Sequence, residues 1–292
     1  MGFDSDDLHM AQKDGGLPTL TVSGAAPGES GISVLGLRFD QSVYFEAMPQ
    51  QHLIWFQLSD IRMACRRAGR VVLEGAVPAG SLAVCPVGLD CSGEAEEGTT
   101  ALLVSVQPSH LALAAAEESS IEAKLMDRAV ANDRALFDLG CGLARESAGN
   151  YPNGPLFWHD MASRFIDRLV AHHSTRDDSD ARRFLSKNVV RQLKDYVMAH
   201  LDEPIDVAAL ADIAGRSPFH FSRVFTRCIG LSPHRYVVHL RLQRAIALIQ
   251  DGRSSLADIA ASTGFADQSH LSRWIRRVYG VSLTTLAAYR SK

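Results

Sequence analysis

Short apolar runs separated by turns occupy residues 32 to 108. Gly and Pro mark the turns, as in Val77-Pro78-Ala79-Gly80. Apolar runs of about four to eight residues between turn signals predict β-strands, and many short strands in succession favour an antiparallel barrel or jelly roll. The predicted strands are Val34–Phe39, Leu53–Leu58, Arg70–Leu73, Ser81–Val84 and Ala101–Val106.

The apolar spacing changes to a helical period after this region. Ser120–Ser147 and Leu156–His172 place apolar side chains three and four residues apart, which is the spacing of one helix face. Tyr151-Pro152-Asn153-Gly154-Pro155 separates these two predicted helices. We therefore divide the chain into a flexible N-terminal arm over 1–30, a β-rich domain with trailing helices over 31–173, a polar linker over 174–181 and a helical domain over 182–292.

A pentapeptide occurs twice in the predicted helical domain. Leu210-Ala211-Asp212-Ile213-Ala214 recurs 46 residues later as Leu256-Ala257-Asp258-Ile259-Ala260. Each copy precedes a second matching stretch, His220-Phe221-Ser222-Arg223 and His270-Leu271-Ser272-Arg273, and these are 50 residues apart. A short apolar helix, a turn and a second helix rich in Ser, His and Arg form the helix-turn-helix pattern. The duplication predicts one chain reading two segments of DNA groove, with a longer turn in the second copy.

Local signals agree with this pattern. Asp206 is a predicted N-cap, and Ser217-Pro218 opens the next helix with Ser at the N-cap and Pro in the first turn. Between the units, Arg235–Gln250 has a continuous helical pattern that spans roughly 24 Å at 1.5 Å per residue. Such a connector predicts two reading helices about one DNA turn apart, roughly 34 Å. One monomer would then enter two successive major grooves.

Charge divides the chain at the same place. Residues 182–292 carry 17 Lys and Arg against 8 Asp and Glu, a net charge of +9, while the remainder carries −12. A basic excess confined to one domain is typical of a polyanion partner. A solvated surface is the alternative explanation, but its coincidence with a duplicated helix-turn-helix favours DNA.

Composition limits the protein class. At 292 residues, 46% hydrophobic and 22% charged, the chain can form two domains that each bury a core. No apolar run approaches the roughly 18–20 residues of a membrane helix, and the acidic start Met1–Asp7 does not resemble a signal peptide. The five cysteines have no metal-type spacing. We expect a protein of the reducing cytoplasm with no membrane partner.

Further positions around the two pentapeptides match a known signature. They are Ser217, His220-Phe221-Ser222-Arg223, Phe225, Gly230, Ser232-Pro233, Tyr236, Arg241-Leu242, Ala245, Gly264-Phe265, Ser272-Arg273, Gly280 and Tyr289-Arg290. Together they resemble the AraC/XylS family of bacterial transcription regulators. Two departures from the family pattern are Leu271 and Ile275 in place of a Phe pair, and Leu283 where Pro is usual.

The resemblance implies an α+β chain of two domains. The N-terminal domain would be a cupin-like β-barrel with trailing helices, and the C-terminal domain all-α with two helix-turn-helix units joined by a helix. It also implies base reading by Phe219, Ser222 and Arg223 in the first unit and by Gln268, Ser269, His270 and Arg273 in the second. The chemistry agrees, because Arg can bond guanine bidentately and Gln can bond adenine. Three further arginines on the reading helices are assigned to DNA phosphates, namely Arg227, Arg276 and Arg277.

The sequence of the β-rich half contains no motif that indicates an enzyme. His52 and His110 are isolated and lack the paired His spacing of a metal-dependent cupin, and no Gly-x-Ser-x-Gly elbow frames a nucleophile. We predict no catalytic residue, no metal site and no cofactor. The alternative, a cupin enzyme fused to a DNA-targeting module, would require a metal held by both histidines.

For each of three sets of residues the sequence allows two interpretations. Cys85 and Cys91 either form a sensing disulfide or are small buried hydrophobes. Phe45 and Trp55 either contact an effector or fill the core. A set of trailing-helix residues either pairs two chains or packs back on the barrel, namely Leu136, Leu139, Leu143, Phe165 and Leu169.

The sequence thus predicts a sequence-specific DNA-binding transcription regulator of the AraC/XylS type, an activator controlled by its N-terminal sensing and dimerisation domain. Expected partners are double-stranded promoter DNA, RNA polymerase, a small-molecule effector and a second copy of the chain. The alternatives are a cysteine-based redox-responsive regulator and the fused cupin enzyme.

Overall fold

The chain folds into two compact units. In the computed structural model of the chain, residues 8–13, 16–25, 28–117, 123–176 and 185–288 are described. The sheet unit is drawn from the chain up to residue 26, 31–111 and 124–175, and the helical unit from 27–30, 112–123 and 176–292. The predicted combination of a β-rich N-terminal domain with a helical C-terminal domain is confirmed.

The sheet unit contains two antiparallel sheets. Its strands are β1 (Leu8–Gln12), β2 (Thr19–Ala25), β3 (Ile32–Phe39), β4 (Val43–Ala47), β5 (His52–Gln57), β6 (Ile61–Arg67), β7 (Arg70–Val77), β8 (Ser81–Cys85), β9 (Cys91–Ala95), β10 (Thr99–Val106), β11 (Ala123–Leu125), β12 (Arg128–Asn132) and β13 (Ser174–Arg176). One sheet has the order β1-β4-β9-β6-β7 and the other has the order β12-β8-β5-β10-β3-β2. A short β11–β13 pair lies apart from both sheets.

The core of the sheet unit is formed by apolar residues from both sheets. Leu37 and Leu103 of the six-stranded sheet and Val43 of the five-stranded sheet are fully or almost fully buried in one cluster. The predicted barrel is not confirmed, because the described strands pair into two separate sheets and no closed barrel is found. Alternating apolar residues predict which face of a strand is buried, but they do not specify which edge strands pair.

The predicted flexible arm needs correction. Residues 8–12 form β1 and pair with β4, so that Leu8 lies opposite Ala47. Residues 19–25 form β2 and pair with β3. The arm has the composition of a loop, but ladder hydrogen bonds to neighbouring strands order these segments, and composition does not reveal such long-range pairing. The predicted linker lies mostly outside the described residues, and 174–176 form β13.

The helix predicted over Ser120–Ser147 begins later than expected. Helix α1 (Pro108–Glu117) is followed by β11 and β12, and α2 covers only Arg134–Ala148. β12 pairs with β8, and the Asp133 carboxylate then caps α2 by accepting a hydrogen bond from Leu136 N at 3.0 Å. An Asp N-cap fixes the start of a helix because it satisfies an otherwise unpaired amide. Helix α3 (Pro155–His173) follows as predicted.

The proposed dimer residues of α2 and α3 are mostly committed to the core of their own unit. Leu136, Leu143, Phe165 and Leu169 are all fully buried, and the Phe165 ring lies 6.1 Å from that of Phe56 on β5. These four side chains are therefore buried within their own unit, Phe165 against β5, and Leu139 alone of the set is half-buried.

The helical unit contains seven helices among its described residues. They are α4 (Lys187–Ala199), α5 (Val207–Ile213), α6 (Pro218–Ile229), α7 (Pro233–Asp251), α8 (Leu256–Ser262), α9 (Gln268–Tyr279) and α10 (Leu283–Ala288). The α5–α6 and α8–α9 pairs are the two copies of the repeat, and α7 is the predicted connector between them. No described helix has both the length and the apolar character needed to cross a membrane.

Candidate nucleic-acid interface

Helices α5 and α6 form the first helix-turn-helix unit. The Asp206 carboxylate caps α5 by accepting a hydrogen bond from Ala208 N at 3.2 Å. Ser217 precedes Pro218 at the start of α6, although its side chain makes no capping hydrogen bond. Gly230 ends α6 with a φ of 77°, a left-handed conformation that glycine adopts without a Cβ penalty. Both predicted helix starts are thus confirmed.

A buried aromatic stripe fixes the rotation of α6. Phe221 and Phe225 are buried with ring centroids 5.2 Å apart, and Phe225 also meets Tyr236 of α7 edge-on at 5.3 Å. Such rings bury large apolar areas and hold one helix orientation. The opposite face of α6 must therefore point to solvent.

That opposite face carries the predicted base readers of the first unit. Phe219 is 82% exposed in the first turn, Arg223 is exposed and Ser222 is half-buried. Arg227 is exposed in the last turn of the same helix. The structure therefore brings all four predicted residues of α6 onto a solvent-facing surface.

The second unit repeats this design with different caps. Ser255 Oγ accepts a hydrogen bond from Asp258 N at 3.1 Å at the start of α8, and Asp267 Oδ1 accepts one from His270 N at 2.7 Å at the start of α9. The turn between the helices is only one residue longer than in the first unit, five residues against four. Of the four residues by which the second copy is longer, three lie in α8, which ends three positions later relative to its pentapeptide than α5 does, and one lengthens the turn. The prediction that the turn takes up the extra residues is therefore corrected.

The departure from the family's Phe pair is explained by packing. Leu271 and Ile275 are fully buried 50 positions after Phe221 and Phe225, so they occupy the equivalent core positions. The face opposite this stripe exposes the other predicted residues of α9, namely Gln268, Ser269, Arg273, Arg276 and Arg277. The side chains of Arg223, Arg273 and Arg276 have no hydrogen-bond or ion-pair partner among the described residues.

His270 differs from the other predicted base readers. Its ring lies edge-on to Phe265 at 5.5 Å, and Trp274 Nε1 donates to its Nε2 at 3.1 Å. Ala266 N lies 3.3 Å from Nδ1. A neutral imidazole has one acceptor nitrogen, so it takes one of these two bonds at a time. The contacts hold this ring against the helical unit itself.

Arg277 has an acidic partner that sequence reasoning missed. Its Nε donates to Glu29 Oε1 at 3.2 Å, and its guanidinium lies 5.3 Å from the centre of the Trp274 ring. Glu29, which belongs to the helical unit, also forms an ion pair with Arg235. No local pattern could have predicted these pairs, because Glu29 precedes Arg277 by 248 positions.

The connecting helix α7 is tied to both helix-turn-helix units by Arg241. Its Nη2 donates to the Glu203 carbonyl, before α5, at 2.6 Å, and its Nη1 donates to the Gly264 carbonyl, after α8, at 3.0 Å. Burial lowers the pKa of this guanidinium. Arg241 was part of the sequence signature, but nothing in the sequence indicated that it bridges two turns.

The sheet unit contains the other residues singled out by sequence. His52 is buried, and its Nδ1 accepts a hydrogen bond from Val87 N at 3.1 Å. The ring centroids of Phe45 and Trp55 lie 5.8 Å apart with the rings tilted by 36°, beside a narrow interior cavity that Gln57 also lines. The described part of the chain holds no group of three or more His, Cys, Asp or Glu side chains arranged to bind a metal.

Comparison with known proteins identifies the repeated unit. A helix-turn-helix domain model matches residues 210–289. The "Probable transcriptional regulator LumQ" of Photobacterium leiognathi is 36% identical over 92 residues, which cover 32% of this chain and 37% of LumQ. The HTH-type transcriptional regulator GbdR of Pseudomonas aeruginosa is 26% identical over 246 residues, 80% of this chain and 60% of GbdR. These matches identify residues 210–289 as a helix-turn-helix domain similar to those of bacterial transcription regulators, in agreement with the resemblance of the sequence to the AraC/XylS family.

The identity of the chain to these relatives is higher over the 92-residue match to LumQ than over the 246-residue match to GbdR. The chain spans 37% and 60% of the lengths of LumQ and GbdR. ToxT from Vibrio cholerae aligns over 89% of this chain and 98% of its own, at 12% identity and a TM-score of 0.37, too low to support a detailed comparison. These matches do not support the redox-regulator and fused-enzyme alternatives.

Proposed function

We propose that the chain is a sequence-specific DNA-binding transcription regulator that inserts α6 and α9 into two successive major grooves of promoter DNA. The observation that carries the proposal is the equivalence of Arg223 and Arg273. They lie 50 positions apart at matching places on two capped helices, both exposed and both without a partner among the described side chains. Two unpaired guanidinium groups on repeated, solvent-facing helices suit bidentate reading of guanine.

The base-reading surface in this proposal has two parts. The first consists of Phe219, Ser222 and Arg223, where the exposed ring can contact a thymine methyl group. The second consists of Gln268, Ser269 and Arg273. His270 takes a positioning role instead, because its ring is engaged with Phe265 and Trp274.

Three arginines supply affinity without base specificity. Arg227 and the neighbouring pair Arg276 and Arg277 lie exposed in the last turns of their helices, where they can neutralise phosphates beside the groove. Contacts of this kind fix the register of a protein on DNA and make binding sensitive to salt.

The connector sets the spacing between the two reading helices. Helix α7 has 19 residues and is about 28 Å long at 1.5 Å per residue. Together with the small units at its ends, this length suits major grooves one turn apart, about 34 Å. Bonding of Arg241 to both flanking turns supports a fixed spacing.

We propose that residues 31–173 form a cupin-like regulatory domain. This domain acts in a homodimer and alters recruitment of RNA polymerase. The cavity beside Phe45 and Trp55 supports a small, mainly apolar effector with one hydrogen-bond donor. Gln57 Oε1 is buried there without a hydrogen-bond partner among the described residues and could accept from that donor.

Selection of genomic fragments on the full-length protein tests the proposal. We expect enrichment of a site with two boxes about 10–10.5 base pairs apart. Arg223→Ala and Arg273→Ala should each weaken binding to that site by about 1–3 kcal/mol and relax base preference in one box. Arg276→Ala is the matched control, since it should weaken all sequences equally and reduce the salt slope. Absence of any enriched site, or equal losses on random DNA for all three variants, would contradict the proposal.

A further inference from the structure

Two cysteine thiols meet between the two sheets of the sheet unit. Cys85 is the last residue of β8 and Cys91 the first residue of β9, so the two belong to different sheets. Their Sγ atoms are 3.2 Å apart and both side chains are buried. The turn that joins them, residues 86–90, is largely exposed, and it alone separates the two residues along the chain.

A buried arginine faces this pair. Arg67 is 7% exposed, its Nη1 lies 3.7 Å from Cys85 Sγ, and its Nε lies 3.2 Å from the carboxylate of Asp127. A buried guanidinium remains charged, and its charge favours a thiolate over a thiol in its surroundings. The hydrogen bond with Cys85, followed by the charge of Arg67, lowers the pKa of Cys91, while the same hydrogen bond and burial raise the pKa of Cys85. Of the two thiols, Cys91 is therefore the one that loses its proton more readily, and Cys85 is the one that keeps it.

We propose that Cys85 and Cys91 form an intramolecular oxidation site that a peroxide converts to a disulfide. The Cys91 thiolate attacks one oxygen of hydrogen peroxide, so an Sγ–O bond forms and the O–O bond breaks. The departing hydroxide takes up a proton as water. Cys85 Sγ then attacks the Cys91 sulfenic sulfur, the Sγ–Sγ bond forms, and the S–O bond breaks as a second water leaves with the Cys85 proton. Two thiols lose two electrons in total, and one peroxide gains them.

The geometry favours this pair over the other cysteines. To reach the bonded Sγ–Sγ length of about 2.05 Å from 3.2 Å, the two sulfur atoms need to approach each other by only about 1 Å. Cys65 also lies near Arg67, but burial raises the pKa of its thiol, so it is the weaker nucleophile. Cys141 lies on α2 and Cys228 on α6 in the helical unit, and neither takes part in this cluster.

Peptide mapping of the full-length protein tests the proposal directly. Trypsin cuts after Arg70 and Lys124, so one peptide, residues 71–124, contains Cys85 and Cys91 and no other cysteine. The reduced protein is treated with hydrogen peroxide, and remaining thiols are then blocked with N-ethylmaleimide. We expect peptide 71–124 to carry no N-ethylmaleimide and to be lighter than its reduced form by two hydrogen atoms. The peptides with Cys65, Cys141 and Cys228 should carry N-ethylmaleimide. Blocking of both thiols in peptide 71–124 under these conditions, or their conversion to sulfinic acid, would overturn the proposal.

Single variants identify the attacking sulfur. In Cys85→Ser the reaction should stop at the Cys91 sulfenic acid, which dimedone traps, whereas Cys91→Ser should give little trapped product at Cys85. Cys141→Ser is the matched control and should oxidise like the unaltered protein. Equal trapping in both variants, or trapping only at Cys85, would contradict the assigned roles.

The charge of Arg67 has its own test. Arg67→Gln should slow disulfide formation about tenfold, because less thiolate is present at neutral pH. Since removal of a buried arginine can impair folding, the unaltered protein provides a second measurement. Its oxidation rate should level off at a lower pH than expected for an ordinary thiol, whose pKa is about 8.5. A rate that keeps rising tenfold per pH unit up to pH 9 would show an unactivated thiol and overturn the role of Arg67.

Discussion

Arg241 donates a hydrogen bond to the carbonyl oxygen of Gly264 at 3.0 Å, so the connecting helix holds the turn that precedes the second recognition helix. The same guanidinium reaches the carbonyl oxygen of Glu203 in the first unit. One side chain therefore fixes both helix-turn-helix units to α7, and the proposed spacing of the two recognition helices depends on it.

Loss of the Arg241 guanidinium should weaken reading of two boxes at once. Arg241→Ala leaves two backbone carbonyls without their charged donor, which should destabilise the helical unit by about 1–3 kcal/mol. Affinity for a two-box site should fall more than affinity for a single box, as measured by titration in fluorescence anisotropy. Arg244→Ala, an exposed position on the same helix, is the control and should change neither quantity.

Gly264 should tolerate no side chain. Its φ is +72°, and a Cβ atom would lie 2.1 Å from the Leu201 carbonyl oxygen. Gly215, in the corresponding turn of the first unit, has a φ of +61° but open space around its Cβ position. Both alanine variants carry backbone strain, but Gly264→Ala also carries a steric overlap, so it should be less stable than Gly215→Ala by about 2 kcal/mol in urea unfolding. Equal stabilities would show that the close approach of Gly264 to the Leu201 carbonyl oxygen is unimportant.

Glu29 should act as a competitor for DNA phosphate. Its carboxylate pairs with Arg277 and Arg235 in the helical unit, so these charges are partly neutralised before DNA binds. Glu29→Gln should raise affinity for specific and random DNA alike. The slope of log affinity against log salt concentration should become steeper by about one unit, as for one more neutralised phosphate. Glu96→Gln makes the same charge change at an exposed pair in the sheet unit. An increase in affinity with both variants would point to net charge alone.

His52 should make the sheet unit less stable in mild acid. Burial lowers its pKa from 6.5 to about 4, so the folded state keeps the ring neutral while the unfolded chain takes up a proton below about pH 6.5. Its contribution is therefore present above pH 6.5 and is lost as the pH falls towards 4. Between pH 7 and pH 5 the loss should be about 2 kcal/mol in urea unfolding. His52→Asn can still accept from Val87 N, and it should lack this part of the pH dependence.

Prediction from sequence succeeded where the pattern is local and repeated. The Asp206 cap, the start of α6 and the inward stripe of Phe221 and Phe225 follow from neighbouring residues, and the structure confirms them. The β2 pairing, the Glu29 ion pairs and the arrangement of the described strands in two sheets depend on contacts between residues distant in sequence. His270 shows the same limit at the site, because its neighbours Phe265 and Trp274 hold the ring inward on a face that the repeat alone predicts to be exposed.

The central claim is that two recognition helices held at one spacing read two successive grooves. The most direct measurement is the affinity of the full-length protein for its selected site before and after five base pairs are inserted between the boxes. Five base pairs rotate one box by about half a turn of DNA. The affinity should fall to that of a single-box site, while the same insertion outside the boxes should have no effect. Unchanged affinity for the site with the internal insertion would contradict reading by two rigidly spaced helices.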